Sequence, residues 1–256
     1  MRDLQSEKDL RNIPLKKVGI KNLKWPVTVM NKYDEVQHTV AEMELSVDLP
    51  HDVRGVHMSR FVEAVKEMKG LSLGDIETML ENLRQRLEAK VAHCRIDFDY
   101  FIKRKAPVTE IPSLYDVRCS FDCEKGEDFK FVMGIVVPVS TLCPCSKEIS
   151  DYGAHNQRAT IHINVEVDRD IWIEDIVRIA EESASTPIFS LLKRPDEKWI
   201  TERAYMNPKF VEDAARDVAI RLENYQGVKW YSVHVESQES IHNHNAFAYT
   251  EKKVEI

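Results

Sequence analysis

Two stretches of strict alternation between apolar and polar residues flank a polar segment near the middle of the chain. In residues 129–141 the apolar side chains fall at every second position, and residues 158–167 repeat the pattern. A period of two residues is typical of a β-strand with one buried face. Because the loop between two consecutive strands usually closes a hairpin, we expect the residues at both ends of this loop to lie at one end of one sheet.

The loop between these strands carries Cys143, Cys145 and His155. Thiolate sulfur and imidazole nitrogen are common ligands of a borderline-soft metal such as zinc. Two buried thiols and a histidine that merely caps a strand are the alternative interpretation. A cysteine pair separated by a proline in a polar loop favours a metal-binding or catalytic role.

The composition bounds the class of protein. A chain of 256 residues with 43% hydrophobic content suits one large globular domain or two of ordinary size. The formal net charge of −7 gives no reason to expect a nucleic acid as partner, and no apolar run reaches the length of a membrane span. Five cysteines without a disulfide-framework spacing, and an N-terminus without an apolar signal segment, predict a cytoplasmic protein with reduced thiols.

The same order of elements is predicted twice along the chain. After a loose polar arm over residues 1–22, the first half reads strand, strand, helix, helix, strand, strand, with Ser72 and Asp75 as the capping pair of the second helix. In the second half Asp170 is predicted to cap the first helix, and Asn207-Pro208 to start the second. The order predicts an α+β protein with antiparallel sheets.

We interpret the chain as two tandem ββααββ modules, over residues 1–126 and 127–256. The two modules differ in the connection between their helices, which is short in the first, at residues 69–71, and long in the second, at residues 185–206. A long insertion in an otherwise short connection is often functional.

Chain direction alone gathers polar residues at one end of the second module. The loop at 143–155, the long insertion, the start of the following helix and the loop after residue 237 all fall at that end if the elements run alternately up and down. The candidate residues there include Cys143, Cys145, His155, Glu197, Arg203, Glu212, Glu239, His242 and His244. Taken alone, Glu197 is more typical of a solvated charge run and Glu212 of a helix N-terminus.

A Cys, His and carboxylate set would leave a tetrahedral metal one open position. A metal in such a site lowers the pKa of bound water toward ~7, and a nearby histidine transfers protons. The residues alone therefore predict metal-assisted hydrolysis of a C–N bond, or addition at a polar ring.

Five segments of the chain resemble GTP cyclohydrolase IB, the bacterial and archaeal alternative to GTP cyclohydrolase I. They are residues 54–61, 140–150, 153–158, 196–213 and 239–248. The resemblance implies the tunnelling fold, in which ββααββ modules assemble into an oligomeric barrel, and a homotetramer. It also implies conversion of GTP and water to 7,8-dihydroneopterin triphosphate and formate, the first step of folate biosynthesis.

The resemblance also implies roles for individual residues. Cys143, His155 and Glu197 match the ligands of one divalent metal, which is Zn, Mn or Fe, and metal-bound hydroxide is expected to attack C8 of the guanine. His242, Glu239 and Cys145 are the candidate catalytic residues. His242 is expected to transfer a proton at the imidazole nitrogen of the purine as the ring opens. Glu212 matches the residue that anchors the purine through its N–H groups. The other candidates for binding substrate, chiefly its triphosphate, are Lys147, Arg158, Arg203, His244, His57 and Arg60.

Two other functions stay open from the sequence. A related tunnelling-fold nitrile reductase acting on a deazapurine would need a thiol nucleophile and NADPH instead of a metal set. A zinc-stabilised binding protein without catalysis would have a closed four-ligand site and would unfold when the metal is chelated.

Overall fold

The computed structural model of the chain describes residue 5 and residues 7–167 and 171–254. The strands in this part are β1 (Leu15–Met30), β2 (Val36–Leu49), β3 (Ala92–Lys105), β4 (Pro112–Lys125), β5 (Phe129–Leu142), β6 (Asn156–Val167), β7 (Thr186–Pro187), β8 (Val228–Gln238) and β9 (Asn245–Lys253). The helices are α1 (Ser59–Glu67), α2 (Leu73–Arg86), α3 (Pro144–Ile149), α4 (Ile173–Ser183), α5 (Arg194–Met206) and α6 (Val211–Glu223).

The order of elements confirms the predicted α+β class. The first half reads β1-β2-α1-α2-β3-β4, and the second half repeats that order with α3, β7 and α5 added. Hydrogen-bonded strands follow one another as β1-β2-β3-β4-β5-β6-β8-β9, and β7 pairs with β5. The pairs β1–β2, β2–β3, β6–β8 and β8–β9 are antiparallel, as the alternating patterns predict.

The chain forms two compact units. Unit 1 comprises Met1–Asp99 and Ser120–Val132, and unit 2 comprises Tyr100–Cys119 and Met133–Ile256. The division into modules at residues 126 and 127 stays a prediction.

In unit 1, the first strand begins earlier than predicted. Residues 15–22 belong to β1 and not to a loose arm, because they pair with β2 from Leu15 onward. An irregularity between Ile20 and Leu23, with Asn22 at a φ of 58°, interrupts the period of two and hides the strand in the sequence. The two backbones come very close at Gly19, where an added Cβ would lie 1.8 Å from the Leu45 carbonyl oxygen.

The core of unit 1 lies on the apolar faces of its strands and helices. Three rings form a ladder, with Phe98–Phe121 and Phe121–Phe131 centroids each 5.0 Å apart in edge-to-face contact. The predicted cap of α2 is confirmed, because the Ser72 hydroxyl accepts a hydrogen bond from the Asp75 backbone N–H at 3.1 Å.

In unit 2, helix α6 packs against β8, β9 and α4 through a stripe of buried alanine, valine and leucine residues. The connection predicted as a long insertion is not irregular, because it contains β7 and the thirteen-residue helix α5. The predicted cap Asp170 lies outside the described residues.

The predicted start of α6 at Asn207-Pro208 is wrong, since the helix begins at Val211. The Asn207 side chain instead donates to the carbonyl oxygens of Ala184 and Ser185 at 2.9 and 3.2 Å. Its amide therefore joins the end of α5 to the end of α4. At the start of α6, Asp213 Oδ2 accepts from the backbone N–H of the N-cap residue Phe210 at 3.1 Å.

Among the residues that the structure describes, no helix has both the length and the apolar character needed to cross a membrane.

Candidate functional site

The loop between β5 and β6 brings Cys143 and His155 together. Cys143 is the N-cap of α3, and Pro144 occupies the first helical position, where its missing N–H costs nothing. The Cys143 backbone N–H donates to the His155 carbonyl oxygen at 3.1 Å, so these two residues close the loop. Both side chains are half-buried, and Cys145 is exposed.

Ser146 connects the same two residues. Its hydroxyl donates to the Cys143 carbonyl oxygen at 3.2 Å and accepts from the His155 backbone N–H at 3.2 Å. Its own backbone N–H points at the Cys143 sulfur, 3.4 Å away. A cysteine binds a metal ion through this sulfur atom, in its thiolate form.

The loop after β8 reaches the same place. Ser240 Oγ lies 3.2 Å from His155 Nδ1, and Gln157 Nε2 donates to Glu239 Oε1 at 3.3 Å. Further along this loop the rings of His242 and His244 stack with centroids 5.1 Å apart and both are exposed to solvent. The structure therefore places Glu239 beside the loop that carries His155.

Two hydrogen bonds of Leu142 bring the segment before α6 and the end of α4 to this end of unit 2. Leu142, which precedes Cys143, accepts from the Lys209 backbone N–H at 3.0 Å and donates its own N–H to Ser185 Oγ at 3.0 Å. Glu212 follows three residues after Lys209, in the exposed first turn of α6. Chain direction correctly predicted that these segments converge.

Two of the predicted phosphate-binding residues have partners within unit 2. Lys147 Nζ donates to the Tyr205 carbonyl oxygen at 2.5 Å and lies 4.4 Å from the centre of the Tyr205 ring. The Arg203 guanidinium lies 5.2 Å from the Trp199 ring centre. Arg158, the third cation suggested for this unit, is exposed.

His57 and Arg60 belong to unit 1. Both are half-buried, and the Arg60 backbone N–H donates to the His57 carbonyl oxygen at 3.1 Å at the start of α1. The Arg60 guanidinium also donates to the Arg86 carbonyl oxygen at the end of α2.

Asp196 anchors the start of α5. This fully buried carboxylate accepts from the backbone N–H groups of Val108 and Thr109, each at 2.9 Å, as well as from the Thr109 hydroxyl and the Lys193 N–H. Burial by itself would raise the pKa of Asp196, but these hydrogen bonds outweigh it and hold the pKa well below its ordinary 3.8.

The next residue, Glu197, is exposed, and the structure gives it backbone contacts with Lys193 and Thr201. The structure thus places the predicted ligands unequally, with Cys143 and His155 paired and Glu197 on a separate anchored helix. Within residues 5, 7–167 and 171–254, no group of three or more His, Cys, Asp and Glu side chains is close enough to hold a metal ion.

The residues around Cys143 and His155 therefore meet only part of the requirements of a metal site. Sulfur and imidazole are suitable donors, and two buried oxygens nearby, Thr141 Oγ1 and Gln157 Oε1, have no hydrogen-bond partner among the described residues. A third protein ligand is not assembled with them. The set of Cys143, His155 and Glu197 stays a prediction.

Sequence reasoning overlooked the small polar residues that hold this end of the unit. Ser146, Ser240 and Asn207 each make contacts that only the folded chain reveals, and short polar residues in loops carry no distinguishing spacing. In the sequence Asp196 is one of several carboxylates in this stretch. Its place in the first turn of α5, directly after Pro195, gave no sign that it would be buried.

Comparison with solved structures defines the class of fold. Urate oxidase from Bacillus sp. TB-90 matches with a TM-score of 0.55 and 8% identity, over 93% of this chain and 100% of that one. Uricase from Arthrobacter globiformis matches with a TM-score of 0.54 and 7% identity, over 93% of each chain. The predicted α+β tunnelling fold is confirmed, and identities this low show the fold alone.

Comparison of sequences defines the family. The profile described as "Type I GTP cyclohydrolase folE2" matches residues 1–248, and the chain belongs to this family. The protein named GTP cyclohydrolase FolE2 from Caldicellulosiruptor saccharolyticus is 53% identical over 251 residues, 98% of each chain. The protein of the same name from Thermotoga neapolitana is 55% identical over 252 residues, 98% of this chain and 97% of that one.

Proposed function

We propose that this protein is a GTP cyclohydrolase, which converts GTP and water to 7,8-dihydroneopterin triphosphate and formate at the start of folate biosynthesis. The observation that carries the proposal is identity above 50%, over nearly the whole chain, to proteins named GTP cyclohydrolase FolE2. The convergence of the Cys143–His155 loop with the loop after β8 supports a reaction site at that end of unit 2.

The proposal includes one divalent metal, Zn, Mn or Fe, with Cys143, His155 and Glu197 as the residues that would hold it. Such an ion supplies a hydroxide equivalent at neutral pH by lowering the pKa of water. Pairing of Cys143 with His155 supports two of the three ligands. Glu197 sits on α5, whose first turn is held by Asp196, so a change in that helix would have to bring Glu197 to the pair.

The remaining residues bind the purine and move protons. Glu212 anchors the guanine, because a carboxylate accepts hydrogen bonds from two adjacent N–H groups as a bidentate pair. His242 exchanges a proton with the imidazole ring of the purine as it opens, and Glu239 and Cys145 complete the catalytic set. The contact between Gln157 and Glu239 supports the place of Glu239.

Cations bind the triphosphate in this proposal. Lys147, Arg158 and Arg203 lie in unit 2, and His57 and Arg60 in unit 1, while His244 contributes to substrate binding. Lys147 would have to exchange its contact with Tyr205 for a phosphate oxygen. Phosphate offers a full negative charge in place of a carbonyl dipole, which favours that exchange.

We further propose that the protein is of the IB type, is cytoplasmic and assembles as a homotetramer. All five cysteines lie in the described part of the chain and none of them forms a disulfide there, which supports a reducing compartment. In the strand order of the described chain, β1 and β9 each have one neighbour. Sheet edges of this kind pair readily with another chain, which supports an oligomeric barrel.

Incubation with GTP in the presence of Zn²⁺, Mn²⁺ or Fe²⁺ tests the function. We expect one formate per GTP and the fluorescence of an oxidised pterin, and both are expected to stop when a chelator is added. Formate release that persists in rigorously metal-free protein would contradict the metal dependence. Absence of formate with every metal would contradict the activity itself.

The two alternatives predict different results in the same assay. A nitrile reductase would consume NADPH with a deazapurine nitrile and release no formate from GTP. A zinc-stabilised binding protein would bind metal and unfold on chelation without turning over GTP. Membership of the cyclohydrolase family favours the first function over both.

A further inference from the structure

Two serine hydroxyls hold His155 from both sides. Ser146 Oγ accepts from the His155 backbone N–H at 3.2 Å, and Ser240 Oγ lies 3.2 Å from the ring atom Nδ1. Ser240 comes from the loop after β8, 85 residues further along the chain. The main chain of His155 is thus fixed from its own loop, and its ring is fixed from a different one.

The contact with Ser240 decides which ring nitrogen is available. Nδ1 is occupied by the hydroxyl, so Nε2 is the nitrogen left for a ligand. A neutral imidazole has one N–H and one lone pair, and a metal binds the lone pair. If Nε2 supplies the lone pair, the proton must be on Nδ1, and the Ser240 oxygen must accept it.

We propose that Ser240 is a positioning residue that holds His155 as the Nδ1–H tautomer and leaves Nε2 as the metal-binding nitrogen. The proposal rests on the metal site of the proposed function and assigns it a residue outside the ligand set. Hydrogen bonds to the second nitrogen of a ligating histidine fix its orientation, and their removal typically weakens metal binding by about 10–100-fold.

The first experiment measures the tautomer without any metal. Metal-free protein labelled with ¹⁵N at histidine is observed by NMR at about pH 8, above the ordinary histidine pKa of ~6.5. The His155→Gln variant identifies the signals of the His155 ring. We expect the Nδ1–H tautomer in the wild type and in Ser240→Thr, and a shift toward Nε2–H in Ser240→Ala. An Nε2–H ring in the wild type, or no change in Ser240→Ala, would overturn the proposal.

The second experiment measures Zn²⁺ affinity by competition with a chromophoric chelator. Ser240→Ala is expected to bind Zn²⁺ about 10–100-fold more weakly, and Ser240→Thr to restore the affinity because it keeps a hydroxyl. Ser150→Ala is the matched control, since the Ser150 hydroxyl accepts from the Tyr152 N–H in the same loop. Wild-type affinity in Ser240→Ala would contradict the proposal.

The two experiments distinguish a failure of the proposed metal site from a failure of the role proposed for Ser240. Failure of the wild type to bind Zn²⁺, Mn²⁺ or Fe²⁺ would remove the metal from the proposed function. The ring tautomer would still show whether Ser240 controls His155.

Discussion

The connection between the first two strands is built differently in the two halves of the chain. Between β1 and β2, residues 31–35 form a turn around Asn31, whose side-chain oxygen accepts from the N–H groups of Tyr33 and Glu35 at 2.9 Å. Between β5 and β6, residues 143–155 contain the short helix α3 and carry a thiol and an imidazole at their two ends. The first connection uses its polar atoms to close the turn, and the second leaves reactive atoms available.

The connection between the two packed helices is likewise longer in the second half of the chain than in the first. Residues 68–72 join α1 to α2 and end in the Ser72 cap, whereas β7 and α5 lie between α4 and α6. Two charged side chains hold the longer connection. Arg104, whose side chain is 13% exposed, donates to the Ile188 carbonyl oxygen, and the buried Asp196 accepts from the N–H groups of Val108 and Thr109. Cys143, His155 and Glu197 lie in connections that are longer in the second half of the chain than in the first.

The largest expected effect comes from removing the thiol that the second module adds. Cys143→Ala should lower GTP-dependent formate release at least about a thousandfold, because a metal contributes several kcal/mol to such a reaction. Formate release, bound metal and circular dichroism are the measurements. Cys123→Ala is the matched control, since that thiol is buried in the sheet of unit 1. A Cys143→Ala variant with normal turnover would show that the lengthened loop does not carry the chemistry.

The next effect concerns the anchor of the segment before α5. Arg104 pairs with Glu181, stacks 4.5 Å from the Tyr115 ring centre and donates to the Ile188 carbonyl oxygen at 3.1 Å. Burial, followed by the charge of Glu181, raises the pKa of Tyr115, so its hydroxyl stays protonated and donates to Glu181.

Glu181→Gln would leave the Arg104 charge buried without its partner. We expect the free energy of unfolding to fall by roughly 3 kcal/mol, measured by urea denaturation. The control Arg178→Gln removes a charge that is 57% exposed, and it should cost less than about 0.5 kcal/mol. Equal effects in the two variants would show that the segment is not held by buried charge.

Asp196 gives a prediction that depends on pH. Its pKa in the folded protein is lower than in the unfolded chain, so the folded state gains stability above pH ~3.9 and loses it as the pH falls below that value. Asp196→Asn should therefore unfold with a flatter pH dependence between about pH 4 and pH 2. The melting temperature near pH 7 should fall by about 5–10 °C.

Asp213→Asn is the control for this effect, because Asp213 accepts one backbone hydrogen bond at the start of α6. Thermal melts at several pH values compare the two variants. A wild-type slope in Asp196→Asn below pH 4 would contradict the role given to the four hydrogen bonds.

The smallest effect is expected in the turn of the first module. Asn31 is 5% exposed, and Asn31→Ala would leave two backbone N–H groups without their acceptor, at a cost of about 1–2 kcal/mol. Formate release per folded protein should not change. A loss of activity without a loss of stability would show that the turn between β1 and β2 contributes to function.

The periodic features of the sequence predicted most of the fold. The alternation in β5 and β6 and the Ser72–Asp75 cap are local patterns, so they can be recognised from the sequence alone. The start of β1 was missed because the irregularity at Asn22 breaks the period. Helix α5 was missed because Asp196 and Ala204 are its buried residues, and they form no apolar stripe.

The site is less predictable than the fold for a physical reason. The pairing of Cys143 with His155 follows from the hairpin. The chain belongs to the Type I GTP cyclohydrolase folE2 family, while the IB type that the motifs imply stays a prediction. Contacts such as Ser240 with His155 join loops 85 residues apart, and no spacing rule selects one serine from the others. The roles assigned to Glu197, Glu212, Glu239 and His242 stay predictions.

The sparse burial of α5 has a consequence for how the molecule fluctuates. This helix is tied down at its ends, by the Asp196 carboxylate and the Asn207 amide, and its sides bury little apolar surface. Releasing two polar ties costs less than opening a packed sheet, so amide hydrogens of α5 should exchange with solvent sooner than those of β6 and β8. Glu197 would then move together with the rest of α5, while the hydrogen bonds of β6 and β8 stay intact.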